Sequence, residues 1–277
     1  MTRPGLPSAV MSASQRGTTR LGPEREKESP PGYWLLDTLP LVPHPTGRPW
    51  IIAHRGASLR AQENTIESFR LAGELGADAV ELDVRRTADK ALIVHHDYTV
   101  PGMGRPIVAM TRAELADAAP WIPDLADALE ACAGIWVDVE IKNDPREPDW
   151  DPEDAVSRAI AADHDAADIV VTSFNPRSVA LAAEAGLRTG LLIGRGVDPA
   201  DAAAAAAEAG HEMLLPHFST LAGDHGKHVI ASAARAGIEI TVWTVDDPME
   251  IARLAQLGVG GIATNAPDVT RTALGVE

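Results

Sequence analysis

The chain has 277 residues, of which 45% are hydrophobic, enough for one large domain or two small ones. It carries 24 Lys and Arg residues against 40 Asp and Glu residues, a formal charge of −16. Nucleic acids and anionic membranes bind to basic surfaces, so this balance argues against general binding to either. An anionic ligand would need a local cation in its site.

The N-terminal stretch is rich in Pro, Gly, Ser and charged residues and offers little to bury. We interpret residues 1–46 as a mobile N-terminal extension and residues 47–277 as the folded domain. The extension lacks the apolar core of roughly 7–15 residues that a secretory signal needs. No stretch of the chain approaches the roughly 18 apolar residues of a transmembrane helix. These features predict a cytoplasmic protein without stable membrane insertion.

From Arg48 onward, short apolar segments alternate with Ala-rich helical patterns, which is typical of repeated βα units around a parallel sheet. Strands are predicted at residues 50–53, 79–84, 135–141, 169–173, 189–193, 212–216, 239–244 and 260–264. Helices are predicted at residues 65–75, 152–162, 176–185, 199–209, 227–236 and 248–257. A further apolar segment, residues 91–95, has no helix before it and is predicted to pair antiparallel with the second strand.

Chemistry in a closed βα barrel gathers at the carboxyl ends of the strands, and polar residues stand at several of these ends. Glu81 and Asp83 are two residues apart, so on a strand both side chains face the barrel interior, and Glu140 lies on the next barrel strand. Three converging carboxylates repel one another unless they share a cation, and such an all-oxygen set suits Mg²⁺, Ca²⁺ or Mn²⁺. The alternative is a set of salt bridges to nearby basic residues, namely Arg55, Arg85 and Lys142.

Two histidines, His54 and His96, each follow a predicted apolar strand at the same rim of the barrel. Imidazole is well suited to take a proton from an attacking oxygen and to give one to a leaving oxygen near neutral pH. His95 is excluded from the site because neighbouring residues on a strand face opposite ways. The remaining candidates are interpreted as packing or hydrogen-bonded residues: His211, His217, His225 and His228.

Short motifs occur in an order that resembles the glycerophosphodiester phosphodiesterase family. They are HRG (54–56), ENT (63–65), VELDV (80–84), HD (96–97), IPDL (122–125), VEIK (139–142), SFNP (173–176), VWTV (242–245) and IATNAP (262–267). Each motif is weak alone, but the order and the separations together are specific. The resemblance extends from about Trp50 to Asp268, essentially the whole predicted barrel.

This resemblance implies a TIM (β/α)8 barrel that hydrolyses glycerophosphodiesters to glycerol 3-phosphate and an alcohol, with one divalent cation, Mg²⁺, Ca²⁺ or Mn²⁺. It implies an acid/base pair, His54 and His96, and three metal ligands, Glu81, Asp83 and Glu140. It implies phosphate contacts from Arg55 and Lys142 and an apolar wall from Trp243. Two residues are candidates for a supporting layer: Asn64 as the cap of the first helix, and Glu63 as a partner of Arg55 or of the metal.

Two departures from the family pattern concern the rim. The segment between Asp97 and Ile122 is short, so the identity of the released alcohol does not follow from the family pattern. In addition, Asn265 stands where an Asp often follows Thr264. Two other functions remain as alternatives at this point. One is a lysophospholipase D-type phosphodiesterase, which needs an apolar acyl groove; the other is a non-catalytic barrel that binds phosphate esters.

Overall fold

This computed structural model describes residues 44–163 and 169–276, and these residues form a closed parallel barrel. The strands are β1 Trp50–His54, β2 Ala79–Arg86, β3 Leu92–Val94, β4 Trp136–Ile141, β5 Ile169–Ser173, β6 Arg188–Ile193, β7 Met213–Pro216, β8 Glu239–Val242 and β9 Gly261–Thr264. Strand β1 pairs in parallel with both β2 and β9, which closes a barrel of eight parallel strands among these residues. The predicted TIM barrel is confirmed.

Helices cover the outside of the barrel. They are α1 Ile66–Glu74, α2 Arg112–Ala118, α3 Leu125–Ala131, α4 Ala155–Asp163, α5 Pro176–Glu184, α6 Pro199–Glu208, α7 Gly223–Ala236, α8 Pro248–Leu257 and α9 Pro267–Ala273. All six predicted helices are present, whereas α2, α3 and α9 were not predicted. Each of these three has 7 residues, about two turns, so its apolar positions recur too few times to be recognised.

The additional strand β3 forms an antiparallel hairpin with β2, as predicted. Val84 pairs with Val94 and Arg86 with Leu92, and the turn between the strands contains Lys90 at a φ of 68°. Beyond β3, the His95 amide donates to the Asp83 carbonyl at 2.9 Å. The hairpin therefore returns the chain to the barrel mouth immediately before His96.

The strand register sets the height of each side chain inside the barrel. Between β2 and β4, Glu81 lies opposite Asp138 and Asp83 lies opposite Glu140. Side chains on a strand alternate between its two faces, so these four carboxylates point inward at two successive levels. His54 pairs with Glu81 across β1 and β2, which brings the first histidine to the lower of these levels.

Apolar side chains fill the barrel below the carboxylates and the layer between strands and helices. The interior set includes Ile52, Trp136, Met213 and Leu215. In the outer layer, Phe69 of α1 is fully buried against the barrel. Replacing such a core aromatic with Ala typically destabilises a protein by about 3–5 kcal/mol. This packing holds the strands rigid and so fixes the polar groups at their ends.

The predicted N-terminal extension spans residues 1–46, of which residues 1–43 lie outside the described residues. The described chain enters the barrel floor at Arg48, whose guanidinium donates to Asp78 at 2.6 and 2.8 Å. No helix in residues 44–163 and 169–276 has the length and apolar character needed to cross a membrane.

Glu239 at the start of β8 generates a prediction about stability. Burial raises the pKa of this carboxyl from 4.5 to about 8, although nearby Arg188 opposes the shift. Between these two pH values the folded state holds a proton that the unfolded chain has released, so stability falls as pH rises through this window. E239Q removes the titration, and we expect its urea midpoint to decline less from about pH 5 to about pH 9.

Glu208 supplies the control for this measurement, because it is exposed on α6. E208Q should follow the wild-type pH dependence of unfolding. Parallel curves for wild type and E239Q would contradict the assignment.

Candidate active site

The residues predicted to form the site converge at the mouth of the barrel. A cavity of about 100 Å³ is lined by seven of them: His54, Arg55, Glu81, His96, Glu140, Lys142 and Trp243. Asp83, Glu63 and Asn64 join this group through direct contacts with it. All ten predicted residues therefore belong to one cluster.

Three carboxylates at the mouth have the geometry of a metal site. One oxygen from each of Glu81, Asp83 and Glu140 lies within 4.8 Å of the others, and all three residues are buried. Oxygens that share one ion at about 2.1–2.5 Å are at most roughly 5 Å apart, so a single divalent cation fits. The Oε1 atom of Glu81 is buried without a hydrogen-bond partner, which leaves a hard oxygen free to bind the ion.

Two basic residues neutralise part of this acidic cluster. The Lys142 ammonium lies 2.9 Å from Asp83 Oδ1 and 2.5 Å from Glu140 Oε1, and Arg55 Nε lies 3.2 Å from Asp83 Oδ2. The salt bridges considered as an alternative thus form for Lys142 and Arg55, in addition to the metal geometry. Arg85 instead donates hydrogen bonds to the His96 carbonyl, Glu147 and Asp149.

The cations leave the carboxylates with unequal charge compensation. Burial works against ionisation of Asp83, but Lys142 and Arg55 hold its pKa below the ordinary value. Burial, reinforced by the neighbouring charges of Asp83 and Glu140, raises the pKa of Glu81 well above its ordinary range. Glu81 is therefore the carboxylate for which the chain provides the least compensation, and a bound cation would supply it.

The loop after β1 is shaped to support these carboxylates. Arg55 adopts a φ of 58°, in the left-handed region that costs a non-glycine residue about 1–2 kcal/mol. In this conformation its amide donates to Glu81 Oε2 at 2.9 Å. Gly56 follows at a φ of 81°, and a Cβ there would lie 2.4 Å from Ser68 Oγ, so only glycine fits the turn.

The two residues of the supporting layer behave differently from each other. Glu63 accepts hydrogen bonds from Arg55 Nη1 at 3.1 and 3.2 Å, one of its two predicted uses. Asn64 donates to Asp83 Oδ2 at 2.7 Å and does not cap α1, so that prediction is wrong. Thr65 is the cap of α1, because its hydroxyl and that of Ser68 form a capping box. The side chain of Asn64 is instead bound to the buried carboxylate of Asp83.

The orientation of His54 is set by a chain of hydrogen bonds. Its Nδ1 lies 2.8 Å from Asn265 Oδ1. The amide and Nδ2 of Asn265 donate to the two carboxylate oxygens of Asp246, each at 2.7 Å. Because Asp246 can only accept, the Asn265 side-chain oxygen must face His54. His54 Nδ1 therefore donates its proton, and Nε2 is left as the acceptor.

Sequence reasoning missed the role of this network. In the sequence, Asn265 is only a departure from the Asp that often follows Thr264, whereas in the structure Asp246 places a carboxylate directly behind the Asn265 amide. Asn265 lies within the IATNAP motif and Asp246 directly follows the VWTV motif, but their contact joins two different βα loops, and no spacing rule reveals it. Burial, followed by the charge of Arg55, lowers the pKa of His54, which favours the neutral ring.

His96 stands at the junction of three spaces. It lines the cavity at the mouth and two clefts, one of about 600 Å³ and one of about 380 Å³. Its Nδ1 lies 2.7 Å from Asp97 Oδ1, which leaves Nε2 for the site. Burial is the main cause that lowers the pKa of His96.

Trp243 forms an aromatic wall of the cavity at the mouth. Its indole nitrogen donates to the Leu215 carbonyl at 2.8 Å, which fixes the ring plane. Phe174 and His217 pack edge-on against it, with ring centroids 5.4 and 5.1 Å away. The wall agrees with the apolar surface predicted for Trp243, and Phe174 extends it.

The carboxylate cluster predicts how stability responds to cations. After treatment with EDTA, adding millimolar Mg²⁺, Ca²⁺ or Mn²⁺ should raise the thermal midpoint, since a ligand at 100 times its Kd stabilises by about 2.7 kcal/mol. E81Q keeps the acceptor for the Arg55 amide but loses a charged ligand, so it should lose most of this gain. Differential scanning fluorimetry measures both effects, with E67Q on the exposed face of α1 as control. A gain in E81Q equal to that of wild type would contradict the metal site.

Comparison with known proteins agrees with this geometry. The sequence signature of the glycerophosphoryl diester phosphodiesterase family matches residues 54–269. A glycerophosphodiester phosphodiesterase of Caldanaerobacter subterraneus is 30% identical over 237 residues, which cover 79% of this chain and 94% of that protein.

Solved structures give the same result. The glycerophosphodiester phosphodiesterase of Thermotoga maritima has a TM-score of 0.70 at 25% identity and covers 81% of this chain and 97% of its own. That of Parabacteroides distasonis has a TM-score of 0.70 at 27% identity and covers 82% of this chain and 97% of its own. The signature extends from the end of β1 into α9 and contains the whole predicted site. The chain therefore belongs to the glycerophosphoryl diester phosphodiesterase family.

Proposed function

We propose that this protein hydrolyses glycerophosphodiesters to glycerol 3-phosphate and an alcohol, with a divalent cation, Mg²⁺, Ca²⁺ or Mn²⁺, held by Glu81, Asp83 and Glu140. The observation that carries the proposal is the meeting of two histidines and a cation-sized carboxylate cluster at one cavity. Membership of the family supports the same reaction.

Charge explains how an acidic protein binds a phosphodiester here. The chain as a whole carries a formal charge of −16, which repels an anion. At the mouth, Arg55 and Lys142 present cationic groups to the cavity that the carboxylates line. Glu81, Asp83 and Glu140 would hold a divalent cation, which would supply polarisation of the phosphoryl oxygens and neutralise charge that develops on them. Arg55 and Lys142, which line the same cavity, would contact the phosphate and orient it.

The two histidines exchange protons with the substrate through their Nε2 atoms. Asn265 holds the Nδ1 proton of His54, and Asp97 occupies Nδ1 of His96. Burial lowers the pKa of each ring, which favours the neutral form that accepts a proton; the ring that donates must first be protonated at Nε2. One histidine takes a proton from the attacking oxygen, and the other gives one to the departing oxygen of the alcohol.

The character of the larger cleft favours a small polar head group over an acyl chain. Its walls include the charged residues Asp144, Arg146 and Glu147, and Phe174 is the one Phe, Tyr or Trp side chain that lines it among the described residues. An acyl chain needs a continuous apolar groove to offset the loss of its membrane environment. We therefore place glycerophosphodiesters ahead of lysophospholipids as substrates.

Product release tests the reaction. The protein with added Mg²⁺, Ca²⁺ or Mn²⁺ should release glycerol 3-phosphate from glycerophosphocholine or glycerophosphoethanolamine, and EDTA should abolish the release. H54A and H96A should each lower kcat by roughly 10²–10⁴-fold, the usual contribution of a positioned acid or base.

His228 supplies the matched control, because it is exposed on α7 and H228A should retain wild-type activity. Binding of glycerophosphocholine without release of glycerol 3-phosphate under any of the three cations would favour the non-catalytic barrel. Activity that survives EDTA or H54A would refute the proposed reaction.

A further inference from the structure

We propose that Arg85 is a positioning residue for this reaction: one buried guanidinium fixes the main chain at His96 to the segment after β4 that lines the larger cleft. The inference rests on the proposed function, because it concerns how His96 is held for proton exchange. Arg85 lines the larger cleft, but it is not among the residues that line the cavity at the barrel mouth, and its ion-pair partners are Glu147 and Asp149.

The guanidinium binds the main chain of His96 with two of its nitrogens. Arg85 is two residues beyond Asp83 on β2, so it faces the same way as the metal-site carboxylates, one level higher. Its Nε and Nη2 atoms donate to the His96 carbonyl at 2.8 and 2.6 Å, and its side chain is 2% exposed. A planar fork that meets one acceptor with two donors restricts both the distance and the direction of that carbonyl.

The opposite edge of the same guanidinium binds the segment after β4. Its Nη1 donates to Glu147 Oε2 at 2.8 Å and to Asp149 Oδ2 at 2.6 Å. The Asp149 side chain is 3% exposed, so this ion pair is shielded from water and from salt. Residues 143–147 of this segment line the cleft of about 600 Å³. Arg85 therefore joins the histidine to one wall of the cleft.

His96 needs such support because its side chain has few hydrogen-bond partners among the described residues. Among the hydrogen bonds of the described residues, His96 contacts Asp97 through its ring and Arg85 through its carbonyl. Asp97 is the adjacent residue in an exposed loop, with a side chain 64% exposed. The buried anchor of His96 is thus its backbone, and a shift there moves the ring relative to the phosphate.

The neighbouring arginine offers a matched control. Arg86 points to the other face of β2, where its Nε lies 3.7 Å from Asp151 Oδ2 and its side chain is 24% exposed. It is the same residue type on the same strand and pairs with the same segment, but it has no contact with His96 among the described residues. Replacing Arg86 therefore removes an ion pair to the segment after β4 without removing a contact with His96.

The experiment measures kcat and KM for glycerophosphocholine at saturating cation, using the full chain. R85M should lower kcat by roughly 10²-fold, the loss expected from a displacement of about 1 Å, with KM changed less than about threefold. R85K keeps the charge but lacks the fork, so its kcat should lie between those of R85M and wild type. R86M should match wild type in both constants.

A double-mutant cycle separates positioning from general stability. If Arg85 acts through His96, adding R85M to H96A should produce no further loss of kcat, measured at high enzyme concentration. A structural role predicts the same fold-loss in both backgrounds. Thermal midpoints of all variants confirm that folded protein is compared, and R85K carries the test if R85M unfolds.

Two results would overturn the inference: R85M and R85K kinetics equal to those of R86M, or an equal fold-loss from R85M in wild-type and H96A backgrounds. An inactive wild type would instead refute the proposed function. Failure of the inference is thus distinguishable from failure of the function.

Discussion

The site depends on the concentration of negative charge that the barrel register creates at its mouth. In-register pairing of β2 and β4 places Glu81, Asp83, Asp138 and Glu140 inside one closed sheet, where water cannot screen them. Buried like charges are costly unless cations balance them. This constraint accounts for the unusual placement of basic residues within an acidic protein and for the fit of the cluster to a divalent cation.

The residues around the cluster compensate this buried negative charge with cations and hydrogen-bond donors. Lys142 and Arg55 approach the carboxylates directly, and Asn64 donates a neutral hydrogen bond to Asp83. Asp138, below this layer, is bound by Thr172 at 2.6 Å, and burial raises its pKa to about 7. The strained loop after β1 brings a backbone amide to Glu81. Stability is thereby given up locally to assemble a charged site on a rigid scaffold.

Much of this arrangement could be predicted from the sequence, because alternation along strands and convergence of strand ends are local rules. They located His54, Glu81, Asp83 and Glu140 at one rim, and the structure brings these residues together. The rules fail where function depends on contacts between distant loops. Arg85 meets Asp149 across a separation of 64 residues, a pairing that no local pattern encodes.

The cap of α1 failed for a related reason. Asn is a good helix cap by propensity, but the buried Asp83 engages its side chain, so a long-range polar contact overrides a local preference. The short helices α2 and α3 escaped recognition because their apolar patterns repeat too few times.

The position of a bound cation tests the role of the carboxylate cluster most directly. Anomalous scattering from crystals soaked in Mn²⁺ would locate it without reference to activity. We expect one strong peak within about 2.0–2.5 Å of an oxygen from each of Glu81, Asp83 and Glu140. A peak elsewhere in the barrel, or none at millimolar Mn²⁺, would contradict it.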